Sequence, residues 1–489
     1  MVDQIHIKHK IKPAIVYSVL SFLVLLGWAV GSPPGSSPDE DIHLTSSWCY
    51  SKYQGATCET VPLRLVEIGK CYFKDSGTIS TCEKSIPKVE VSPERIYKDK
   101  FYYNFLANFV SLENIDKSTV QIRIANSFLS AISILILVLL TSRLIYLPIM
   151  ISWLVVNIPL GFFILSSVNP SSWIFIFSFL FLPLIYRIFA EKNKIYLLVT
   201  KFLCLGLSYF LALSARPDTL LFAIIFGITL VPVIFSSEIK KLRIRLLLYV
   251  LTLFASMYLM LSIWNRSNIA NYREYKISSW EIITSLPSII TGVFGGWGLG
   301  SLETTMPPIT YVGSFVTVLA ILFYSFRFIN TSEAFSTFLI GLFAFIVPFF
   351  VLLRSNLRVG EWYQPRYILP IFYVLLGLSL IIIFRTFRAK SLIIIVNLLL
   401  FFSSITFIFA LHTFYRRYVS GLNNFDLFFT KTNSWWWEFP VFPNPFTFFT
   451  FTVIAYLVFW ITIKREILTN IKTLSPKDFQ NSRHQLPSS

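Results

Sequence analysis

Charged residues are scarce in this sequence of 489 residues. Asp, Glu, Lys and Arg together make up 14% of it, whereas soluble domains carry about 25%. Hydrophobic residues make up 55%, and the mean hydropathy is +0.66. Apolar runs of about 20 residues, long enough to cross a bilayer, recur along the chain. The composition excludes a soluble globular enzyme and predicts an all-α polytopic membrane protein.

The sequence also lacks the short motifs of several enzyme classes. It contains no Walker loop, no dinucleotide fingerprint, no H-E-x-x-H and no G-x-S-x-G. A clear internal repeat is missing too, which removes one argument for a symmetric transporter.

Acidic residues are outnumbered, 25 against 42 basic residues, and the net charge is +17. In a membrane protein this excess is typical of cytoplasmic loops and of contacts with anionic lipid. No basic run is interleaved with aromatic residues. The lipid membrane is therefore the predicted partner, and nucleic acid is not.

About twelve spans, within a range of ten to thirteen, are predicted in one transmembrane domain, residues 1–465, followed by a polar cytoplasmic tail, residues 466–489. The first span, which ends at Val30, is favoured as a retained anchor over a cleaved signal, because many spans follow it. Alternation from a cytoplasmic N-terminus places the short basic loops and both chain ends inside, as the positive-inside rule requires. The other predicted spans are 122–142, 144–161, 172–189, 195–213, 219–235, 246–263, 310–328, 335–353, 366–384, 391–410 and 446–463. The basic residues assigned to the inner side are Arg143, Arg187, Lys192, Lys194, Lys240, Lys241, Arg243, Arg245, Arg327, Arg385, Arg388, Lys390, Lys464 and Arg465.

Outer loops are predicted at about 31–120, 264–309, 354–365 and 411–445. The first of them contains Cys49, Cys58, Cys71 and Cys82. Four clustered cysteines indicate up to two disulfides, in any of three pairings, on the oxidising side of the membrane. A zinc site is the alternative, although no two of these cysteines have the short C-x-x-C spacing.

An acidic motif follows the first span directly and contains Asp39, Glu40, Asp41 and His43. Ionisable groups at this depth usually mark a functional site. Asp39 or Glu40 is the candidate general base, and the D-x-D spacing of Asp39 and Asp41, with His43, is that of a divalent-cation site. The structural alternative is a helix start with Ser37 as its cap and Glu40 completing a capping box.

The remaining polar segments at span ends are also assigned to the outer side. An arginine at this depth can clamp a phosphate bidentately, although it can equally contact lipid phosphates by snorkelling. A serine-capped turn is the structural interpretation of the Asn169 segment, and a flexible loop that of the glycines around Trp297. The candidate substrate-binding and phosphate-binding residues are Arg216, Asp218, Arg366, Gln364, Tyr367, Asn169 and Trp297.

These segments together resemble the family catalogued as domain of unknown function 2142, which is grouped with the membrane-embedded GT-C glycosyltransferases. The matching residues are Pro38-Asp39-Glu40-x-x-His43, Arg123 with Asn126, Asn169-Pro170-Ser171, Gly296-Trp297 with a following Pro-Pro, and Gln364-Pro365-Arg366-Tyr367 leading into Leu369-Pro370. They are scattered over about residues 13–385. The sequence departs from the family pattern after Trp297, where the nearest carboxylate is Glu303.

The resemblance implies a GT-C-like fold with a large first outer loop whose acidic residue acts as base or metal ligand. It also implies a sugar donor on a polyprenyl-phosphate carrier. Asp39 and Glu40 would then be the base or would bind a divalent metal such as Mg or Mn, with His43 as their orienting partner. Arg366, and with it Arg216, would hold the phosphate of the leaving group.

The leading hypothesis is an inverting glycosyltransferase in the plasma membrane, with its active site on the extracytoplasmic face and a glycan, glycolipid or protein as acceptor. One alternative is a transporter or flippase of a lipid-linked saccharide. Another is a non-catalytic assembly partner in cell-envelope glycan synthesis that docks through its cysteine-bearing loop.

Overall fold

The computed structural model describes residues 2–53, 58–73, 75–80, 82–97, 101–190, 195–235, 242–266, 277–300, 302–360, 363–386, 389–430, 435–437 and 444–473. This part of the chain folds into α-helices with one short two-stranded antiparallel sheet. The helices are α1 (Val2–Val30), α2 (Glu40–Tyr53), α3 (Leu63–Glu67), α4 (Phe101–Ala107), α5 (Ile115–Leu140), α6 (Arg143–Val156), α7 (Leu160–Leu165), α8 (Ser171–Ala190), α9 (Ile195–Ala215), α10 (Thr219–Phe235), α11 (Leu242–Arg266), α12 (Ser279–Val293), α13 (Pro308–Phe326), α14 (Thr331–Ser355), α15 (Leu369–Thr386), α16 (Ala389–Val419) and α17 (Pro445–Thr473). The strands are β1 (Val61–Pro62) and β2 (Glu90–Val91), and Pro365–Tyr367 form a 3₁₀ turn.

Nine of the described helices are long and apolar enough to cross a membrane: α1, α5, α8, α9, α13, α14, α15, α16 and α17. Each coincides with a predicted span, which confirms an all-α polytopic membrane protein. Three shorter apolar helices, α6, α10 and the Leu246–Leu259 part of α11, coincide with the other predicted spans. The total of twelve stays a prediction.

The structure adds helix α12 to the sequence prediction, and several helices continue beyond their predicted spans, α16 and α17 among them. α12 lies inside the stretch 264–309, which was predicted as loop; the side chain of Ser278 caps its first turn. α16 continues beyond residue 410 to Val419, because buried Arg417 donates to the carbonyl groups of Asp75 and Thr78 instead of needing water. α17 continues past the predicted start of the tail, and its Glu466 forms an ion pair with Arg143 at 3.0 Å. The rest of the predicted tail, residues 474–489, and the predicted inner residues Lys192, Lys194, Lys240, Lys241 and Arg388 lie outside the described residues.

The described residues between 31 and 114 form a small lobe that precedes α5. Two disulfides, Cys49–Cys58 and Cys71–Cys82, close short loops in it. This is one of the three pairings that the sequence allowed. Because all four cysteines are in disulfides, they are not the ligands of a zinc site. The core of the lobe is continuous with the ends of α5 and α8, since Leu44, Trp48, Tyr102 and Tyr103 belong to one buried cluster with Ile122 and Trp173. The lobe therefore covers the end of the bundle at which α1 and α9 end and α8 and α15 begin, here called the lobe end.

Candidate functional site

The acidic motif lies on a turn between α1 and α2. The backbone of Asp39 has a φ of 59°, a left-handed conformation that costs most L-residues about 1–2 kcal/mol but is tolerated by Asp. The carbonyl of Asp39 accepts the first hydrogen bond of α2, from His43 N at 3.0 Å. The predicted helix start at Ser37 is wrong. Ser37 N donates to Glu40 Oε2 at 3.3 Å, so only half of the predicted capping box is present.

Asp39 is paired with Arg366, which lies far away in sequence. Arg366 Nη2 donates to Asp39 Oδ2 at 2.7 Å; the Asp39 side chain is 47% exposed and the Arg366 side chain 4% exposed. Partial burial acts to raise the pKa of the Asp39 carboxyl, but the Arg366 guanidinium and His43 outweigh it, so this pKa lies below its usual value. Asp39 is therefore ionised at neutral pH.

Arg366 has unused hydrogen-bonding capacity. Besides Asp39, its Nη2 contacts the Tyr367 hydroxyl at 3.2 Å. Its Nε and Nη1 are buried and have no hydrogen-bond partner among the described residues. A buried polar atom without a partner costs about 1–3 kcal/mol, and more when the group is charged. Such atoms in a native structure call for an explanation, and an anionic ligand supplies one.

Arg216 lies beside Arg366 at the C-terminal end of α9. Both guanidinium groups lie over the ring of Tyr367, Arg216 at 4.6 Å and Arg366 at 5.2 Å from the ring centroid. Arg216 binds Asp218 through two hydrogen bonds of 3.0 and 2.7 Å, and donates to Ser171 Oγ at 2.8 Å. Two cations and two carboxylates are thus gathered around one tyrosine at the lobe end.

Glu40 has a different environment from Asp39. It is fully buried, and its two carboxylate oxygens accept from Nε and Nη2 of Arg123 at 2.9 and 2.6 Å. Arg123 also donates to the carbonyl groups of Ala29, Ser32 and Pro33. This network locks the turn after α1 against α5. Glu40 is therefore a poor candidate for a general base, because its proton-accepting oxygens are already engaged.

The predicted metal ligands point in different directions. Asp39 contacts Arg366, whereas the His43 ring nitrogen Nδ1 lies 2.8 Å from the Tyr103 hydroxyl. Asp41 packs over Gly69, where even a Cβ would lie 2.8 Å from its carboxylate; burial raises the pKa of this carboxyl. No group of three His, Cys, Asp or Glu side chains that could hold a metal occurs in the described part of the chain. The donor set does not fit a divalent cation.

The other predicted site residues are brought close to this site. Asn169 Nδ2 donates to the carbonyl of Pro38 at 3.0 Å, and the neighbouring Val168 N donates to Glu40 Oε1 at 3.1 Å. Trp297 packs with Pro365 around Gly292, next to the turn that carries Arg366. Gln364 precedes that turn, and its carbonyl accepts from Tyr367 N at 3.0 Å.

Sequence reasoning did not foresee the role of Arg123 or of the tyrosines of the lobe. The rings of Tyr97 and Tyr103 are nearly parallel at 5.6 Å, and His43 stacks against Tyr97 at 5.5 Å. The Tyr-rich composition of residues 96–103 was the available signal. In the structure Tyr102 and Tyr103 are buried in the core of the lobe.

Comparisons with known proteins give one match. A family model described as a predicted membrane protein, DUF2142, matches residues 22–376, well over half of the chain. The searches of curated proteins and of solved structures returned no match.

Proposed function

The chain belongs to the DUF2142 family of predicted membrane proteins, and we propose that it is a GT-C-type glycosyltransferase that transfers a sugar from a polyprenyl-phosphate donor to an extracytoplasmic glycan, glycolipid or protein. The observation that carries the proposal is the pairing of Asp39 with Arg366, whose Nε and Nη1 have no partner in the described residues. A buried cation with free donors, at the end of a helical bundle that spans a membrane, suits a lipid-linked phosphate. The adjacent carboxylate suits the hydroxyl group that attacks the sugar.

Arg366 binds the donor phosphate in this proposal. A guanidinium is planar, and its donors point outward along different edges. One edge faces Asp39, and Nε and Nη1 are left for phosphate oxygens. Arg216 has its Nε and Nη2 occupied by Asp218 and therefore contributes mainly positive charge. The carrier's hydrocarbon tail then extends along the apolar helices.

The transfer step follows from these roles. Asp39 takes the proton from the acceptor hydroxyl while the hydroxyl oxygen forms a bond to the anomeric carbon. The bond between that carbon and the phosphate oxygen breaks, and its electron pair leaves with the phosphate. Negative charge grows on the phosphate in the transition state, so Arg366 stabilises the transition state more than the ground state. The oxidising face indicated by the two disulfides supports an outer active site.

Binding of undecaprenyl phosphate to the purified protein in detergent tests the phosphate assignment. We expect Arg366→Gln to weaken binding at least tenfold, because a hydrogen bond to a charged group contributes about 1.5–3 kcal/mol. Arg358→Gln is the matched control, since Arg358 is half exposed and pairs with Glu281. Undecaprenol and inorganic phosphate, measured in parallel, separate recognition of the tail from recognition of the phosphate. Equal binding by wild type and Arg366→Gln would refute the assignment.

Surface glycans from cells with and without the gene test the activity itself. We expect one glycan, glycolipid or glycoprotein to lose a sugar when the protein is absent. Wild type restores this product, and Arg366→Gln does not.

A further inference from the structure

A second buried polar cluster lies beside the proposed site. The loop between α12 and α13 carries Glu303, which is 6% exposed, and Thr304, which is fully buried. Thr304 Oγ1 donates to Glu303 Oε1 at 3.3 Å. The fully buried phenol of Tyr418, near the end of α16, interacts electrostatically with Glu303, and its oxygen lies close to the hydroxyl groups of Thr304 and Ser36.

The loop is shaped around the carboxylate. Leu299 and Thr304 form an antiparallel bridge, and Gly300 and Glu303 lie close together beside it. Gly300 has a φ of 69°, and a Cβ at this position would lie 2.0 Å from Glu303 Oε1. Only glycine leaves room for the side chain of Glu303 in this conformation. The conformation of the loop therefore accommodates the buried carboxylate of Glu303.

The hydroxyl of Tyr418 is the informative group in this cluster. It is buried, and within the described part of the chain it has no partner at hydrogen-bonding geometry. A buried tyrosine normally finds a partner for its O–H group. A ligand that offers hydroxyl groups would satisfy it, because a hydroxyl both donates and accepts.

The cluster is joined to the Asp39–Arg366 site from two directions. Ser36 precedes Asp39 by three residues, a reach of about 10 Å at most, and Arg123 Nη2 contacts both Ser36 Oγ and Glu40 Oε2. On the other side, Trp297 of the same loop packs with Pro365, the neighbour of Arg366.

We propose that Glu303, Thr304 and Tyr418 form a subsite that binds the hydroxyl groups of the saccharide being transferred or of the saccharide that accepts it. This inference rests on the proposed function and assigns Glu303 a binding role, in which its carboxylate accepts hydrogen bonds from sugar hydroxyls. Asp39 remains the base. The hydroxyl of Tyr418 donates to a sugar oxygen.

Tyr418→Phe provides the critical test. Because the phenol oxygen has no partner in the described residues, its removal should leave the unfolding temperature in detergent unchanged or higher. We expect at least a tenfold loss of the glycan product in complemented cells, with undecaprenyl phosphate binding as in wild type. Glu303→Gln should give the same pattern. Ser404→Ala is the matched control, because it removes another buried hydroxyl that has no partner among the described residues. Ser404 lies about 21 Å away along the same helix, and the change should alter none of these readouts.

The outcomes separate this subsite from the proposed function. Full product from Tyr418→Phe and Glu303→Gln would overturn the subsite alone, and so would product loss accompanied by unfolding or by loss of undecaprenyl phosphate binding. Identical glycans in cells with and without the wild-type gene would overturn the proposed function and the subsite together.

Native mass spectrometry of lipids bound to the Tyr418→Phe protein distinguishes the two sources of the hydroxyl groups. If the Tyr418→Phe protein still carries a glycosylated lipid, the subsite binds the acceptor saccharide. If it carries the bare carrier phosphate instead, the subsite binds the donor sugar.

Discussion

Asp39 and Arg366 are 327 positions apart in the chain, and a 2.7 Å hydrogen bond joins them. Asp39 is held on a turn at the end of α1, and Arg366 on a 3₁₀ turn at the start of α15. The two helices therefore contribute opposite charges to one place at the lobe end. The carboxylate is half exposed, whereas the guanidinium is buried. In the proposed site an acceptor hydroxyl can therefore reach Asp39, and the phosphate binds Nε and Nη1 of Arg366, which Asp39 leaves open.

Asp39→Asn should abolish sugar transfer and retain phosphate binding. Asparagine tolerates the left-handed backbone at this position almost as well as aspartate does, and it keeps a hydrogen bond to Arg366. It cannot take the proton of the acceptor hydroxyl, and it removes a negative charge that repels the phosphate beside it. We expect no glycan product and undecaprenyl phosphate binding at least as tight as in wild type. Normal product formation by this variant would eliminate Asp39 as the base.

The ion pair of Asp39 should make stability depend on acidity. The folded-state pKa of Asp39 is lowered from the ordinary value of 3.8. A lowered pKa means that the charged form stabilises the fold above the ordinary value, and that this contribution is lost as the pH falls through the folded-state pKa. Wild type should therefore have a higher unfolding temperature than Asp39→Asn at neutral pH, and this difference should shrink only below about pH 4. A constant difference down to pH 2 would contradict the role of the charge.

Glu40→Gln should damage the fold as well as any activity. Glu40 and Arg123 are a fully buried pair, 0% and 1% exposed, and removal of one partner from such a pair costs about 3–5 kcal/mol. We expect a lower unfolding temperature in detergent and less protein in the membrane. The double variant Glu40→Leu with Arg123→Met should be less destabilised than either single change, because no unpaired charge is left. Wild-type stability of Glu40→Gln would show that Arg123 is satisfied by the carbonyl groups alone.

Hydropathy predicted the long spans well, because a run of about 20 apolar residues matches the thickness of a bilayer and is typical of a transmembrane helix. It ended α16 too early, since Arg416 and Arg417 mark a span end by charge, whereas Arg417 is buried against the carbonyl groups of the lobe. Alternation of spans placed Asp39 and Arg366 on the same side of the membrane. Their direct contact could not be predicted, because a contact between helices far apart in the chain depends on packing that cannot be deduced from one sequence.

The three consecutive carboxylates show the same limit. The spacing of Asp39 and Asp41, with His43, predicted a divalent-cation site, but a turn and a helix start send Asp39, Glu40 and Asp41 towards Arg366, Arg123 and Gly69 respectively. Which carboxylate remains available was decided by Arg123, a residue in another helix. The disulfide pairing was open for a similar reason, since three pairings satisfy the same composition.

Cysteine labelling in intact cells should establish the orientation. We expect a membrane-impermeant maleimide to label Phe73→Cys, which replaces an exposed residue of the lobe, and not Phe328→Cys, which replaces an exposed residue after α13 at the opposite end. Both variants are made in a Cys204→Ser background, because Cys204 is the free cysteine of the described residues. Permeabilised cells should label both. The reverse pattern would place the lobe in the cytoplasm and contradict an extracytoplasmic active site.

Asp218→Asn should tighten the binding of undecaprenyl phosphate. Asp218 forms two hydrogen bonds with Arg216 and neutralises a cation that lies over the same tyrosine ring as Arg366. Asparagine keeps one of these hydrogen bonds and removes the negative charge. The pair is partly exposed, so the change should be about 1 kcal/mol or less, which is at most about fivefold in affinity. Glu281→Gln is the control, since Glu281 pairs with Arg358. Weaker binding by Asp218→Asn would mean that Asp218 acts by orienting Arg216, and unchanged binding would remove Arg216 from the phosphate site.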